Sequence, residues 1–132
     1  MMQTDDVNTK NKGLILFVDD DEIVLDVGRK MIQRLDFEVL VARDGDEAIA
    51  LFKKNKATVD VVILDMRMPG MNGATVHDYI REIKPDTKII LASGYLENGH
   101  ARDIIEHRYN DFIQKPFAFD QLTHKIEGMM ER

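Results

Sequence analysis

At four places in this chain a candidate strand is followed directly by residues capable of metal or phosphoryl chemistry. Val18 is followed by Asp19 and Asp20, Leu64 by Asp65, Ala92 by Ser93, and Gln114 by Lys115. Three carboxylates held together cannot all stay ionised without a counter-ion, and hard oxygen donors with room for water suit Mg2+. Such an ion would also neutralise an incoming phosphoryl group. One carboxylate, Asp65, can then act as nucleophile and form an aspartyl phosphate. Lys115 would give a point charge to one phosphoryl oxygen, and the Ser93 hydroxyl a hydrogen bond to another. Each residue alone has an ordinary reading. Asp19–Glu22 could cap a helix, Asp65 could be a loop acid, Ser93 a turn residue and Lys115 a solvated lysine. The joint placement outweighs these readings, provided the four places meet in space.

The elements that must bring them together follow from hydrophobic spacing. Strands are expected at Leu14–Val18, Glu38–Val41, Val59–Leu64, Lys88–Ala92 and Asp111–Gln114. Ile23, Val27, Met31 and Leu35 recur every fourth residue and share one face of a first helix beginning near Asp21. Ala48, Ile49 and Phe52 mark a second helix after the turn Asp44-Gly45. That turn could join a hairpin, but Asp46–Phe52 has helical spacing, which rejects it. Val76, Tyr79, Ile80 and Ile83 mark a third helix ending before Pro85; Ala101, Ile104, Ile105 and Arg108 a weaker fourth; Phe119, Leu122, Ile126 and Met129 a fifth. Strand alternating with helix five times is the pattern of a parallel sheet wrapped by helices, and the apolar run Val61–Leu64 reads as a strand covered on both faces. In such a sheet every strand's C-terminal end lies on one edge, where ligands bind at the topological switch point. Three carboxylates, a hydroxyl and an ammonium then converge in one shallow cleft.

Composition excludes other classes. The 132 residues suit one domain, with residues 1–12 as a flexible polar tail and 13–132 as the folded unit. Hydrophobic residues at 44% and charged residues at 32% describe a globular rather than a disordered chain. The chain has no cysteine, which removes disulfides, thiolate zinc sites and cysteine nucleophiles. No apolar run approaches the ~20 residues that span a bilayer, and the polar start is no signal peptide, so the cytoplasm is the expected compartment and no membrane partner is expected. With 18 Lys and Arg against 24 Asp and Glu, a formal charge of −6 and no basic stripe, direct nucleic-acid binding is not expected.

Competing motifs fail on inspection. An EF-hand loop starting at Asp19 would need a ligand at Ile23 and glycine at Val24, and there is neither a Walker A motif nor G-x-G-x-x-G. His77, His100, His107 and His124 lie at no zinc-ligand spacing and read as surface residues. The eight methionines read mostly as core filler or as flanks of Pro69-Gly70.

Four segments carry a resemblance. They are Leu14-Ile-Leu-Phe-Val-Asp-Asp-Asp, Val61-Val-Ile-Leu-Asp-Met-Arg-Met-Pro-Gly-Met-Asn-Gly73, Ile90-Leu-Ala-Ser-Gly-Tyr95 and Phe112-Ile-Gln-Lys-Pro-Phe117. In this order and at domain-scale spacing, the chain after residue 12 resembles a response regulator receiver domain of two-component phosphorelay signalling. The third and fourth segments are also similar to receivers of hybrid histidine kinases. The resemblance implies a flavodoxin-like (βα)5 sandwich with a parallel five-stranded sheet in the order 2-1-3-4-5. It implies Asp65 as phosphoacceptor, Asp20 as a direct Mg2+ ligand, Asp19 holding the ion largely through water, and the Arg67 backbone carbonyl completing the coordination. It further implies Ser93 and Lys115 as the phosphoryl-binding hydroxyl and amine, Phe112 at the aromatic switch position, and a cis Lys115–Pro116 bond. A histidine kinase or histidine phosphotransfer protein would supply the phosphoryl group, and the domain would catalyse only its own phosphorylation and dephosphorylation. A homodimer through the fourth helix, fifth strand and fifth helix is a further implied partner.

Some features depart from the pattern or extend it. Arg108 stands where such domains usually carry glycine, which questions the local loop but not the site. Phosphoryl transfer is expected to draw the Ser93 hydroxyl toward the new oxygen and open space for Phe112 to rotate inward; a ring with no hydroxyl to anchor it in water could instead favour the inward position without phosphate. Arg67 and Tyr95, two residues beyond Asp65 and Ser93, could stack as a roof against the attacking water and prolong the phosphorylated state. A phosphatase of the haloacid-dehalogenase type also uses an aspartate after a strand, but it wants a second Asp where Arg67 stands. A module that kept the fold and lost the chemistry is disfavoured because every site residue is present.

Overall fold

The structure, a computed structural model, describes residues 11–94 and 108–131. Five strands, β1 (Leu14–Val18), β2 (Glu38–Ala42), β3 (Val59–Asp65), β4 (Lys88–Ser93) and β5 (Asp111–Gln114), form one sheet in the order β2-β1-β3-β4-β5. All neighbouring pairs are parallel. The described helices are α1 (Glu22–Arg34), α2 (Gly45–Asn55), α3 (Gly73–Ile83) and α4 (Phe119–Met130). This is the expected flavodoxin-like sandwich. The helix expected at Ala101–Arg108 lies, except for Arg108, outside the described residues, so α4 is the helix read as the fifth.

Alternation along the strands separates two cores. Leu16, Val18, Val62, Leu64, Ile89 and Leu91 face α2 and α3, where they meet Phe52, Val76 and Ile80. Ile15, Phe17, Val61, Ile63, Ile90 and Ile113 face α1 and α4, where they meet Leu25, Ile32, Leu122 and Ile126. Both faces of the central strands are therefore dry, which is why β3 reads as a nearly unbroken apolar run. Three of the four described helices start at side-chain caps. Asp21, Asp44 and Asn72 each accept a hydrogen bond from a backbone N–H of the first turn. Asp44 thus opens α2 rather than turning a hairpin.

Two expectations about helix faces are corrected. On α1 the buried residues are Leu25, Gly28 and Ile32, whereas Ile23 and Val27 are 74% and 45% exposed. The reason is Gly28. A Cβ there would lie 2.2 Å from Phe17 Cε2, so the helix seats its bare backbone on the Phe17 ring and turns the Ile23–Val27 ridge outward. On α3, Tyr79 is exposed and His77 is buried, so His77 is not the surface residue its polarity suggested. Its Nε2–H donates to the Arg108 carbonyl at 2.8 Å, its Nδ1 pairs with Asp78 Oδ1 at 3.0 Å, and its ring meets Tyr109 edge-on at 4.8 Å. The Arg108 carbonyl gives the buried ring the acceptor that an Nε2–H requires. The Arg108 side chain also reaches Asp78 at 3.3 Å, so the arginine ahead of β5 is held at its guanidinium as well as at its carbonyl. His124 is exposed as expected, while His100 and His107 lie outside the described residues.

Candidate phosphoacceptor site

The sheet carries the site residues at its strand ends, Asp65 and Ser93 as the last residues of β3 and β4 and Asp19 and Lys115 one residue beyond β1 and β5. Val18 pairs with Ala42 on one side and Leu64 on the other, and Asp65 pairs with Ala92. Beyond these rungs the ladders continue for single bonds, from Asp19 N–H to Ala42 O (3.1 Å), Met66 N–H to Ala92 O (3.1 Å) and Lys115 N–H to Ser93 O (2.8 Å). Asp19 and Asp65 therefore sit side by side on adjacent strands, fixed by the same hydrogen bonds that build the sheet. Lys115 closes the group from the far end, and its bond to Pro116 is cis, as expected.

One carboxylate oxygen each from Asp19, Asp20 and Asp65 lies within 4.8 Å of the others. Asp19 and Asp65 are buried and Asp20 is exposed, so the cluster has a dry floor and a wet mouth. Lys115 Nζ donates to Asp19 Oδ2 at 2.8 Å and to Asp65 Oδ1 at 3.1 Å. Burial, and next the charge of Asp19, push the Asp65 carboxyl up to about 6, while the Lys115 ammonium pulls the other way. Burial opposes the charge on Lys115, but its hydrogen bond to Asp19 and the two carboxylate charges outweigh that and hold the ammonium above its ordinary range. Asp21, adjacent in sequence, takes no part in the cluster's oxygen triangle: its Oδ1 accepts from Ile23 N–H at 2.9 Å and caps α1. The acidic run thus divides its labour, two residues to the cleft and one to the helix.

The remaining expected residues surround this group. Ser93 is buried, with its hydroxyl 3.9 Å from Met66 Sδ. Arg67 is exposed and lines an open cleft with Asp20, Asn72 and Ala74. Phe112 is half-buried on the β5 edge, and Tyr95, with any stack on Arg67, lies outside the described residues. Sequence reasoning missed three neighbours. Met66 contacts the Ser93 hydroxyl, Gly73 seats α3 directly on the Asp65 backbone, and Lys125 holds its ammonium 5.2 Å from the Phe112 ring centroid. Met66 and Gly73 both lie in the second quoted segment, whereas Lys125 left no trace in the quoted segments.

A family model for the response regulator receiver domain matches residues 15–127. The chain belongs to that family. This receiver domain is 33% identical over 118 residues to the sensor kinase CckA of Brucella abortus, covering 89% of the chain and 12% of the kinase. It is 33% identical over 122 residues to the transcriptional regulatory protein ResD of Bacillus subtilis, covering 92% of the chain and 50% of that protein. Among solved structures, a receiver domain from Clostridium thermocellum superposes with a TM-score of 0.83 at 27% identity, covering 91% of this chain and 95% of that one. The receiver of the hybrid histidine kinase CckA superposes with a TM-score of 0.76 at 29% identity, covering 89% and 99%. The receiver domain thus spans half or less of these two curated relatives, which carry further sequence of their own. Among the described residues no helix is long and apolar enough to cross a membrane.

Receiver domains hold Mg2+ in an acidic pocket, and the donor set here fits one. Three carboxylates offer hard oxygen atoms at one strand edge, and the mouth at Asp20 is open to the waters that Mg2+ retains.

Proposed function

We propose that this receiver domain is a phosphorylation switch, with Asp65 as the acceptor and Asp19, Asp20 and the Arg67 carbonyl as the Mg2+ site. The observation that carries the reading is the buried Asp65 carboxylate, crowded by Asp19 and bridged to it by the Lys115 ammonium. A carboxylate oxygen of Asp65 attacks the phosphorus of a phosphohistidine on a histidine kinase or phosphotransfer protein. A P–O bond forms, the P–N bond breaks, and its electron pair stays with the imidazole nitrogen. Bound Mg2+ supplies positive charge to the phosphoryl oxygens. Lys115, already aimed between Asp19 and Asp65, is placed to bind one of those oxygens, and the Ser93 hydroxyl another. The domain turns over no foreign substrate. Its only chemistry is on itself, in the cytoplasm, and the product is a changed surface.

That change runs from Ser93 to Phe112. Drawing the hydroxyl toward the phosphoryl group vacates space on the β4 side of β5, and the Phe112 ring moves inward to fill it. The β5–α4 face then binds a protein partner, or a second copy of this chain, with altered affinity. The test is direct. With Mg2+ and a small acyl phosphate, the wild-type domain gains one base-labile phosphoryl group, and Asp65→Asn gains none. Undiminished labelling of Asp65→Asn would remove Asp65 from the role.

A further inference from the structure

The Phe112 ring is held by its neighbours in a way the phosphorylation chemistry does not require. β5 is an edge strand, so the Phe112 N–H points away from the sheet, and it is met by the carboxylate of the preceding residue, Asp111 Oδ1, at 2.8 Å. The same Asp111 oxygen accepts from Lys125 Nζ at 3.0 Å. Lys125, on α4, in turn lies with its ammonium 5.2 Å from the Phe112 ring centroid. Backbone, ring and helix are thus joined by three residues through one carboxylate oxygen. Lys125 and Asp111 are both half-buried, which shields the pair from solvent more than an ordinary surface ion pair.

We propose that Lys125 is the latch of the switch: a positioning residue that holds the Phe112 ring in its resting place and sets how much phosphoryl binding must do to move it. The inference rests on the phosphorylation reading above and names its regulation. The half-buried Phe112 ring packs at the margin of the core on the α2/α3 side; it cannot hydrogen-bond, but its face attracts a cation, and the Asp111 carboxylate keeps the cation there. Moving the ring inward breaks the cation–π contact, so the latch favours the resting state. By linkage, whatever disfavours the activated arrangement weakens ligands that stabilise it by the same factor. A cation over a partly exposed ring biases an equilibrium about two- to fivefold.

The test uses beryllofluoride with Mg2+, a phosphoryl mimic, titrated calorimetrically into the whole chain. Lys125→Gln is expected to bind it about two- to fivefold more tightly than wild type. Lys125→Arg, which keeps a cation over the ring, is expected to return to within about twofold of wild type. In a Phe112→Leu background, Lys125→Gln is expected to change nothing, because the ring through which it acts is gone. A purely structural role for Lys125 would move melting temperature alike in both backgrounds without this pattern. Unchanged affinity in Lys125→Gln, or an equal change in the Phe112→Leu background, overturns the latch alone. Failure of wild type to bind beryllofluoride overturns the phosphorylation reading, and the latch with it.

Discussion

Replacing Gly73 with alanine should damage the site without touching a charged group. Gly73 is the first residue of α3, and its N–H donates to Met66 O at 2.9 Å, closing the loop that follows Asp65. An added Cβ would stand 2.4 Å from the Asp65 carbonyl oxygen, 2.9 Å from Met66 Cα and 3.2 Å from Asp65 C. Ordinary contact begins near 3.4 Å, so about 1 Å of separation must be found. None of the three atoms can rotate aside, because all are backbone. Either α3 backs off the sheet or the end of β3 shifts, and the second carries the Asp65 side chain with it. Overpacking of this kind costs about 1–3 kcal/mol, against at most about 1 kcal/mol of helix propensity gained by alanine. Misplacing a nucleophile by about 1 Å costs on the order of a hundredfold in rate. Denaturant midpoints measure the first effect, and the rate of labelling by a small acyl phosphate, read by gel separation of the phosphorylated form, measures the second. Gly128→Ala in α4 is the control, since nothing lies within 4 Å of its Cβ; it should be neutral or up to about 1 kcal/mol more stable. Wild-type stability and labelling in Gly73→Ala would refute the steric reasoning.

Two other outcomes are expected. Lys115→Met leaves the buried Asp19–Asp65 pair without its ammonium, so the metal-free domain should lose about 1.5–3 kcal/mol, and added Mg2+ should raise its melting temperature more than it raises that of wild type. An equal rise in both proteins would show that Lys115 does not offset the carboxylates. Burial pushes the Tyr109 phenol up to about 12. A folded pKa above the unfolded value of about 10 means stability that is full below pH 10 and lost as pH climbs toward 12, roughly 2–3 kcal/mol in all. Tyr109→Phe should therefore move alkaline unfolding to higher pH and remove the last step of the phenolate absorbance titration; an unchanged titration would sink the assignment.

What could be read from the sequence was what depends on strand ends. Each site residue directly follows a candidate strand, and a parallel sheet sends all such ends to one edge, so Asp19, Asp65, Ser93 and Lys115 could be brought together without coordinates. Helix faces were harder. The Ile23–Val27–Met31–Leu35 stripe has good periodicity, but the helix turns about Gly28, and a residue with no side chain carries no weight in a hydrophobic pattern. His77 was misread for a related reason. Its burial depends on the Arg108 carbonyl and Asp78, and no local pattern says that a distant carbonyl will arrive. Lys125 on α4 is close in sequence to Asp111 and Phe112 on β5, but their meeting depends on how α4 packs beside β5.

The contacts that complete the cleft join the most distant parts of the chain. Lys115 reaches Asp65 across 50 positions and Asp19 across 96. A chain emerging during synthesis holds the acceptor and its acidic neighbours long before the amine appears, and even then the amine arrives only when the last strand docks. If Asp65 accepts a phosphoryl group as proposed, that competence is a late product of folding, reached once β5 has taken its place beside β4. A truncated or half-assembled chain would carry the aspartate yet lack the charge that balances it. On the proposed reading, a phosphoryl mark would report on its bearer as well as its sender, because only a chain with β5 in place could carry it.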